Sequence, residues 1–110
     1  MTVKICGVPY KIAFKTDAKE PLFSALKADG FTDFSTKNIV VRDVRNVDSV
    51  SMQEDRMGYM DKVLRHEIVH AMLHESGLDI ECHWVCEEAV DWIALQFPKL
   101  QEAFFAANCC

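Results

Sequence analysis

Residues 66–70 read His-Glu-Ile-Val-His, and seventeen residues further on the chain reads Glu87-Glu88-Ala89-Val90-Asp91. Together these two segments carry the residue types of a catalytic zinc site. Histidines four positions apart stack on one face of a helix, with Cβ atoms about 5–6 Å apart, so two imidazoles can grip one ion. Zinc takes ligand nitrogens at about 2.0–2.1 Å in a tetrahedron, and catalytic sites commonly use three protein ligands and leave the fourth position to water. Glu67 sits beside the first histidine, where its carboxylate can reach that water rather than the metal. Zinc lowers the pKa of bound water to about 7, so a carboxylate suffices as general base at neutral pH.

The third ligand must come from elsewhere. His74 continues the four-residue series, but it lies eight residues from His66, a rise of about 12 Å along a helix, too far for one ion. A third histidine six residues beyond the second, after a glycine bend, is also missing: position 73 is Leu73 and position 76 is Ser76. The acidic segment remains. Glu87 and Asp91 share a helix face, so Glu87 could bind zinc while Asp91 accepts the free ring N–H of a ligand histidine and fixes its tautomer.

A bare HExxH pattern fixes only three positions, and its context has to carry the argument. Apolar Val63, Leu64, Ile68, Val69, Ala71, Met72 and Leu73 interleave with the polar positions, and Gly77 ends the segment, as expected of a largely buried helix over 57–76. Polar groups buried there need partners, which a metal supplies. The plainer alternative is a solvated face of Arg65, Glu67 and Glu75.

The two motifs resemble those of the gluzincin clan of zinc peptidases, in which HExxH is followed by a helix with an ExxxD pattern, here Glu87 to Asp91. The short span between them looks most like the minigluzincins and the ImmA/IrrE-type metallopeptidases, and the similarity covers roughly residues 60–97. The resemblance implies His66, His70 and Glu87 as ligands, Glu67 as general base and Asp91 as the carboxylate behind a ligand histidine. Glu88 is the rival ligand, since a one-residue shift would present it instead. Larger gluzincins stabilise the oxyanion with a downstream histidine or tyrosine, and neither residue occurs after His83. That role falls to His74, His83, Tyr59 or Tyr10. The minigluzincin resemblance also implies a C-terminal segment that blocks the cleft, so the tail ending in Cys109 and Cys110 is expected to hold the enzyme latent.

At 110 residues, half of them apolar, the chain suits a single domain, 1–110, with a core that needs no disulfides. No apolar run is long enough for a membrane span, and the start lacks a signal-peptide layout, so a cytoplasmic location is expected. Five cysteines, an odd number, then read as thiols. Cys82 and Cys86 flank His83, but four good ligands cannot be assembled locally; Cys82 reads as a loop residue and Cys86 as a small apolar residue on the helix. A net charge of −5 and the lack of a basic stripe argue against nucleic acid as a partner.

The elements that must position these residues follow from local pattern. Residues 2–6 and 10–14 alternate around Gly7-Val8-Pro9 as a hairpin. Pro21 opens a short helix through Asp29, stopped by Gly30. Residues 31–34 and 39–43 read as strands, the second as the cleft edge able to pair with extended substrate. Residues 44–56 read as a loop. Residues 84–97 form the glutamate helix, ending before Pro98, with a last turn or two through Phe105. Trp92, Ile93 and Phe97 are assigned to the core, and Phe104 and Phe105 to covering apolar surface.

The expectation is a compact α+β, zincin-like domain with an antiparallel or mixed sheet packed on an active-site helix and a glutamate helix. It would bind one Zn2+ per chain, act as a monomer on a peptide or protein substrate, and need neither nucleic acid nor membrane. The competing expectation is a catalytically silent protein of the same fold, with a structural metal and a binding role.

Overall fold

The computed structural model describes residues 1–47, 54–79 and 83–110. Strands β1 (Thr2–Ile5) and β2 (Val8–Lys15) form an antiparallel hairpin closed by the Ile5–Val8 pair. Its turn residues are Cys6 at φ 50° and Gly7 at φ 81°, two left-handed positions whose twist matches that of the flanking strands. The turn therefore comes one residue earlier than Gly7-Val8-Pro9, and Pro9 lies within β2. Pairing of β2 with its next neighbour begins only at Lys11, so the N–H that Pro9 lacks is not needed there.

Helix α1 (Leu22–Leu26) is shorter than expected. Lys27 adopts the left-handed conformation at φ 52° and closes the helix, with its N–H directed at the carbonyls of Phe23 and Ser24. Gly30 instead opens strand β3 (Gly30–Asp33), which pairs antiparallel with β4 (Asn38–Arg42). Asp33 Oδ1 accepts from the backbone N–H groups of Ser35 and Thr36 and holds the connecting turn.

The sheet order is β1-β2-β4-β3, with β2 and β4 parallel and the other two pairs antiparallel. The fold is thus α+β with a mixed sheet, but the expected edge is misplaced. Strand β4 is internal and β3 is the edge. The unbroken burial of Ile39, Val40 and Val41 fits this, because a strand with neighbours on both sides and cover on both faces alternates poorly. Ile39 and Val41 share a face with Tyr10 and Ile12 against the long helix. Val40 faces the other way beside its cross-strand partner Phe31, whose ring lies 5.8 Å from that of Phe23 in α1.

Helix α2 (Arg56–Glu75) is capped by Asp55, whose Oδ1 accepts the Gly58 N–H at 2.9 Å. Its buried residues Met60, Val63, Glu67 and Ala71 recur every three or four positions and form the stripe that meets the sheet. Val44 joins this core, although the sequence places it in the polar loop of residues 44–56; residues 48–53 of that loop, and Cys82, lie outside the described residues.

Helix α3 (Glu87–Ala106) departs most from expectation. It begins at Glu87, not Trp84, and Cys86 is an exposed, extended cap residue, not an apolar helix residue. It also continues through Pro98. A proline inside a helix leaves the carbonyl four residues earlier without its N–H partner, here Ala94. Arg65 Nε donates to that oxygen at 2.6 Å and compensates the loss from the neighbouring helix. Helix α3 packs chiefly on α2, burying Val90 and Ala94. Trp92 and Phe97 are exposed, and so are Phe104 and Phe105, because among the described elements α3 packs chiefly on α2 and their side of the helix lies away from that contact; Ile93 is half-buried. Among the described residues, no helix is long and apolar enough to cross a membrane.

Candidate metal centre

The middle of α2 brings His66, Glu67 and His70 into one group whose possible ligand atoms all lie within 4.8 Å of one another, and this group could hold a metal ion. His66 Nε2 and His70 Nε2 face each other at 3.1 Å. The carboxylate of Glu87 reaches across from the first turn of α3, with Oε2 at 3.0 Å from His66 Nε2 and Oε1 at 2.8 Å from His70 Nε2. Four ligands at about 2.05 Å from zinc stand roughly 3.3 Å apart. The nitrogen pair, and each nitrogen with its own nearest Glu87 oxygen, stand slightly closer than that edge, a spacing from which the three side chains can open around an ion.

Asp91, one turn beyond Glu87, places Oδ1 at 3.2 Å from His66 Nδ1. An N–H on Nδ1 donates to this carboxylate and leaves the Nε2 lone pair directed at Glu87 and His70. The same oxygen receives Lys62 Nζ at 2.6 Å. The hydrogen bond from Lys62, with lesser help from His66, holds the Asp91 carboxyl below the usual carboxylate range. Glu88 is exposed and stands outside the cavity lining, so α3 presents Glu87 of the two neighbouring glutamates.

Glu67 lies on the core stripe of α2 and is only 6% exposed, yet its Oε2 has no hydrogen-bond partner. Burial pushes its carboxyl up to about 7, and the nearby Glu87 adds to the rise against the opposing pull of His66. Burial also lowers the His70 pKa and so favours the neutral imidazole that a metal requires. Two imidazoles, an adjacent carboxylate and an orphaned buried carboxylate oxygen together fit a divalent cation with a polar molecule beside it.

These groups line an open cavity of about 420 Å³, bounded on the other side by β3 and the segment before it. Two contacts fix that wall. Thr32 Oγ1 donates to the main-chain oxygen of Glu67 at 3.3 Å. At Gly30, a Cβ would stand 2.8 Å from Val63 Cγ1 and 3.2 Å from Glu67 Cγ, so the missing side chain is what lets α2 approach the strand. Tyr59 lines the cavity and donates its hydroxyl to Asp29 Oδ2. Asp29 Oδ1 receives Arg42 Nη1 at 3.1 Å, and Arg42 in turn grips both oxygens of Asp17 at 2.6 and 2.7 Å.

Of the four residues expected to share the oxyanion role, only Tyr59 lines the cavity. Tyr10 is fully buried, its hydroxyl donating to Glu75 at 2.6 Å. His74 stacks on Phe34 with centroids 4.2 Å apart and pairs Nδ1 with Asp79, and His83 is exposed. Sequence reasoning missed Lys62, Asp29 and Gly30. Lys62 was accessible in principle, since it precedes His66 by four positions and shares its helix face. The other two are placed by chain crossing and have no local signal.

The tail does not close the site within its own chain. Glu87 and Ala106 are the two ends of α3, about 28 Å apart along its axis. Residues 107–110 span at most about 14 Å. Cys109 and Cys110 are exposed beyond that far end.

No known protein family matches the chain, and neither a curated protein nor a solved structure matches it. What the described residues define is a mixed α+β protein carrying a metal-competent His-Glu-His group on its longest sheet-facing helix.

Proposed function

We propose that this chain is a zinc-dependent metallopeptidase of the gluzincin type, with His66, His70 and Glu87 as the metal ligands. The observation that carries the reading is the convergence of two Nε2 atoms and a carboxylate at 2.8–3.1 Å beside the unpartnered Oε2 of Glu67. Zinc bound there supplies Lewis acidity, polarising a peptide carbonyl and making water a usable nucleophile at neutral pH. Glu67 takes the proton of the attacking water on Oε2 and passes it to the leaving amine. Asp91 holds the His66 ring in its ligand tautomer. Lys62, whose ammonium keeps protons beyond the one given to Asp91, is the cavity group able to donate to a developing oxyanion, since the Tyr59 hydroxyl proton is held by Asp29; the edge of β3, outermost among the described strands, offers backbone groups to an extended peptide.

A structural metal alone does not call for an unpaired carboxylate buried beside it, and Glu67 therefore favours chemistry over a silent binding role. The test is metal content and peptide hydrolysis on one preparation. About one zinc per chain, lost in a His66→Ala/His70→Ala variant, together with cleavage of a peptide library that Glu67→Gln abolishes, is the expected result. Full zinc occupancy with no cleavage of any peptide would assign the protein to the binding role.

A further inference from the structure

Apart from the metal centre, the largest unexplained feature is the second half of α3. Between Trp92 and the C-terminus only Lys99 and Glu102 carry charged side chains, so this segment is neutral in a chain whose net charge is −5. It is nevertheless exposed. Leu100 and Phe97 each keep 45% of their surface in solvent, and Phe105 keeps 59%. Contact with α2 is made through Val90 and Ala94, and the apolar surface continues past the point where that contact ends.

The pattern is ordered along the helix. Ile93, Phe97, Leu100 and Phe104 are spaced by four, three and four residues, the alternation of a two-helix seam. The positions beside this stripe are Gln96, Gln101 and Ala103, uncharged and partly small, while Lys99 and Glu102 lie on the opposite side of the helix. A second copy can therefore approach without bringing like charges together. The central part of the stripe is self-complementary about a two-fold axis between Leu100 and Gln101: in an antiparallel pair, Phe97 of one copy meets Phe104 of the other, the reverse contact follows by symmetry, and Ile93 falls opposite Asn108 beyond the helix end.

Size is consistent with a second copy. An aromatic side chain offers about 150–250 Å², so the exposed parts of Phe97, Leu100 and Phe104 amount to roughly 200–280 Å² per chain. Two copies double that, and the flanking Gln96, Gln101 and Ala103 bring the pair toward the roughly 1,000 Å² at the lower end of specific interfaces. A membrane surface fits less well, because interfacial helices set Lys and Arg against their apolar face and this one has a single lysine.

We infer that the chain self-associates as an antiparallel dimer through the Ile93-Phe97-Leu100-Phe104 stripe of α3. The inference is independent of the metal centre, whose one proposed ligand on this helix, Glu87, lies in its first turn. Sedimentation equilibrium of the metal-loaded protein, in reductant so that Cys109 and Cys110 cannot cross-link, is the experiment. A dimer populated by about 100 µM is expected, with Leu100→Glu raising its dissociation constant at least about tenfold. Phe97→Ser is expected to weaken it similarly, and Trp92→Ser, off the stripe, to leave it unchanged. Circular dichroism should show both stripe variants folded, since the altered side chains are exposed. A wild-type chain that stays monomeric at that concentration overturns the proposal and leaves the stripe to a different protein. A dimer indifferent to Leu100→Glu and Phe97→Ser overturns it too, by placing the interface elsewhere.

Discussion

Arg65 Nε donates to the main-chain oxygen of Ala94 across 2.6 Å, at the carbonyl that Pro98 deprives of its helical partner. One side chain of α2 thereby fixes the position of α3 along α2, two turns from the glutamate that meets the histidines. Removing the donor leaves a buried carbonyl unsatisfied, which costs about 1–3 kcal/mol. Arg65→Met is therefore expected to lower stability by that amount in urea denaturation. Pro98→Ala returns an N–H to the helix, so the same Arg65→Met change should cost less in that background. Strictly additive effects would show that the arginine and the proline are not coupled through Ala94.

Glu87, not Glu88, faces the histidines. Glu87→Ala is expected to weaken zinc binding by at least about a hundredfold and Glu88→Ala by less than about threefold, in competition with a chromophoric chelator. Asp91→Asn should weaken it by about 10–100-fold, because the amide no longer holds the His66 tautomer as an ionised acceptor. Loss of affinity in Glu88→Ala with Glu87→Ala unchanged would reverse the ligand assignment.

Burial raises the Glu67 pKa from 4.5 to about 7 in the metal-free protein. The folded state then binds more protons than the unfolded state between those values, so this residue costs stability as pH rises from about 4.5 to about 7, and nothing further above. Glu67→Gln lacks that titration. In chelator-treated samples the wild type should lose on the order of 2 kcal/mol relative to Glu67→Gln between pH 5 and pH 7.5, a comparison that cancels the histidines common to both. A pH-independent difference would mean that Glu67 is solvated in solution.

Gly30 admits no side chain without moving Val63 or Glu67. Gly30→Ala is expected to cost about 1–3 kcal/mol as an overpacked contact, and to lower turnover more than zinc content, since Glu67 is displaced and the histidines are not. Unchanged turnover at full zinc occupancy would show that the wall yields without disturbing the base.

Much of the candidate site was legible in the linear chain because its spacings are helical. His66, Glu67 and His70 fall within one turn of one helix, and Glu87 and Asp91 within one turn of another, so local periodicity alone aligns each set. The existence of the hairpin, of the long helix and its end at Gly77, and the α+β class follow likewise from patterns of a few residues. Packing decided the rest. Whether Glu87 or Glu88 faces the histidines depends on the rotation of α3, which is set by burial of Val90 and Ala94 and by the Arg65 contact. The continuation of α3 through Pro98 depends on a donor supplied 29 residues earlier in the chain. Strand order was equally closed to local reading: β4 lies inside the sheet because the chain crosses from β2 through α1 and returns by a hairpin, and that path makes β3 the edge facing the metal group. Helical periodicity is a property of neighbours in sequence, whereas an edge, a helix rotation or an uncovered apolar face exists only once distant segments have met.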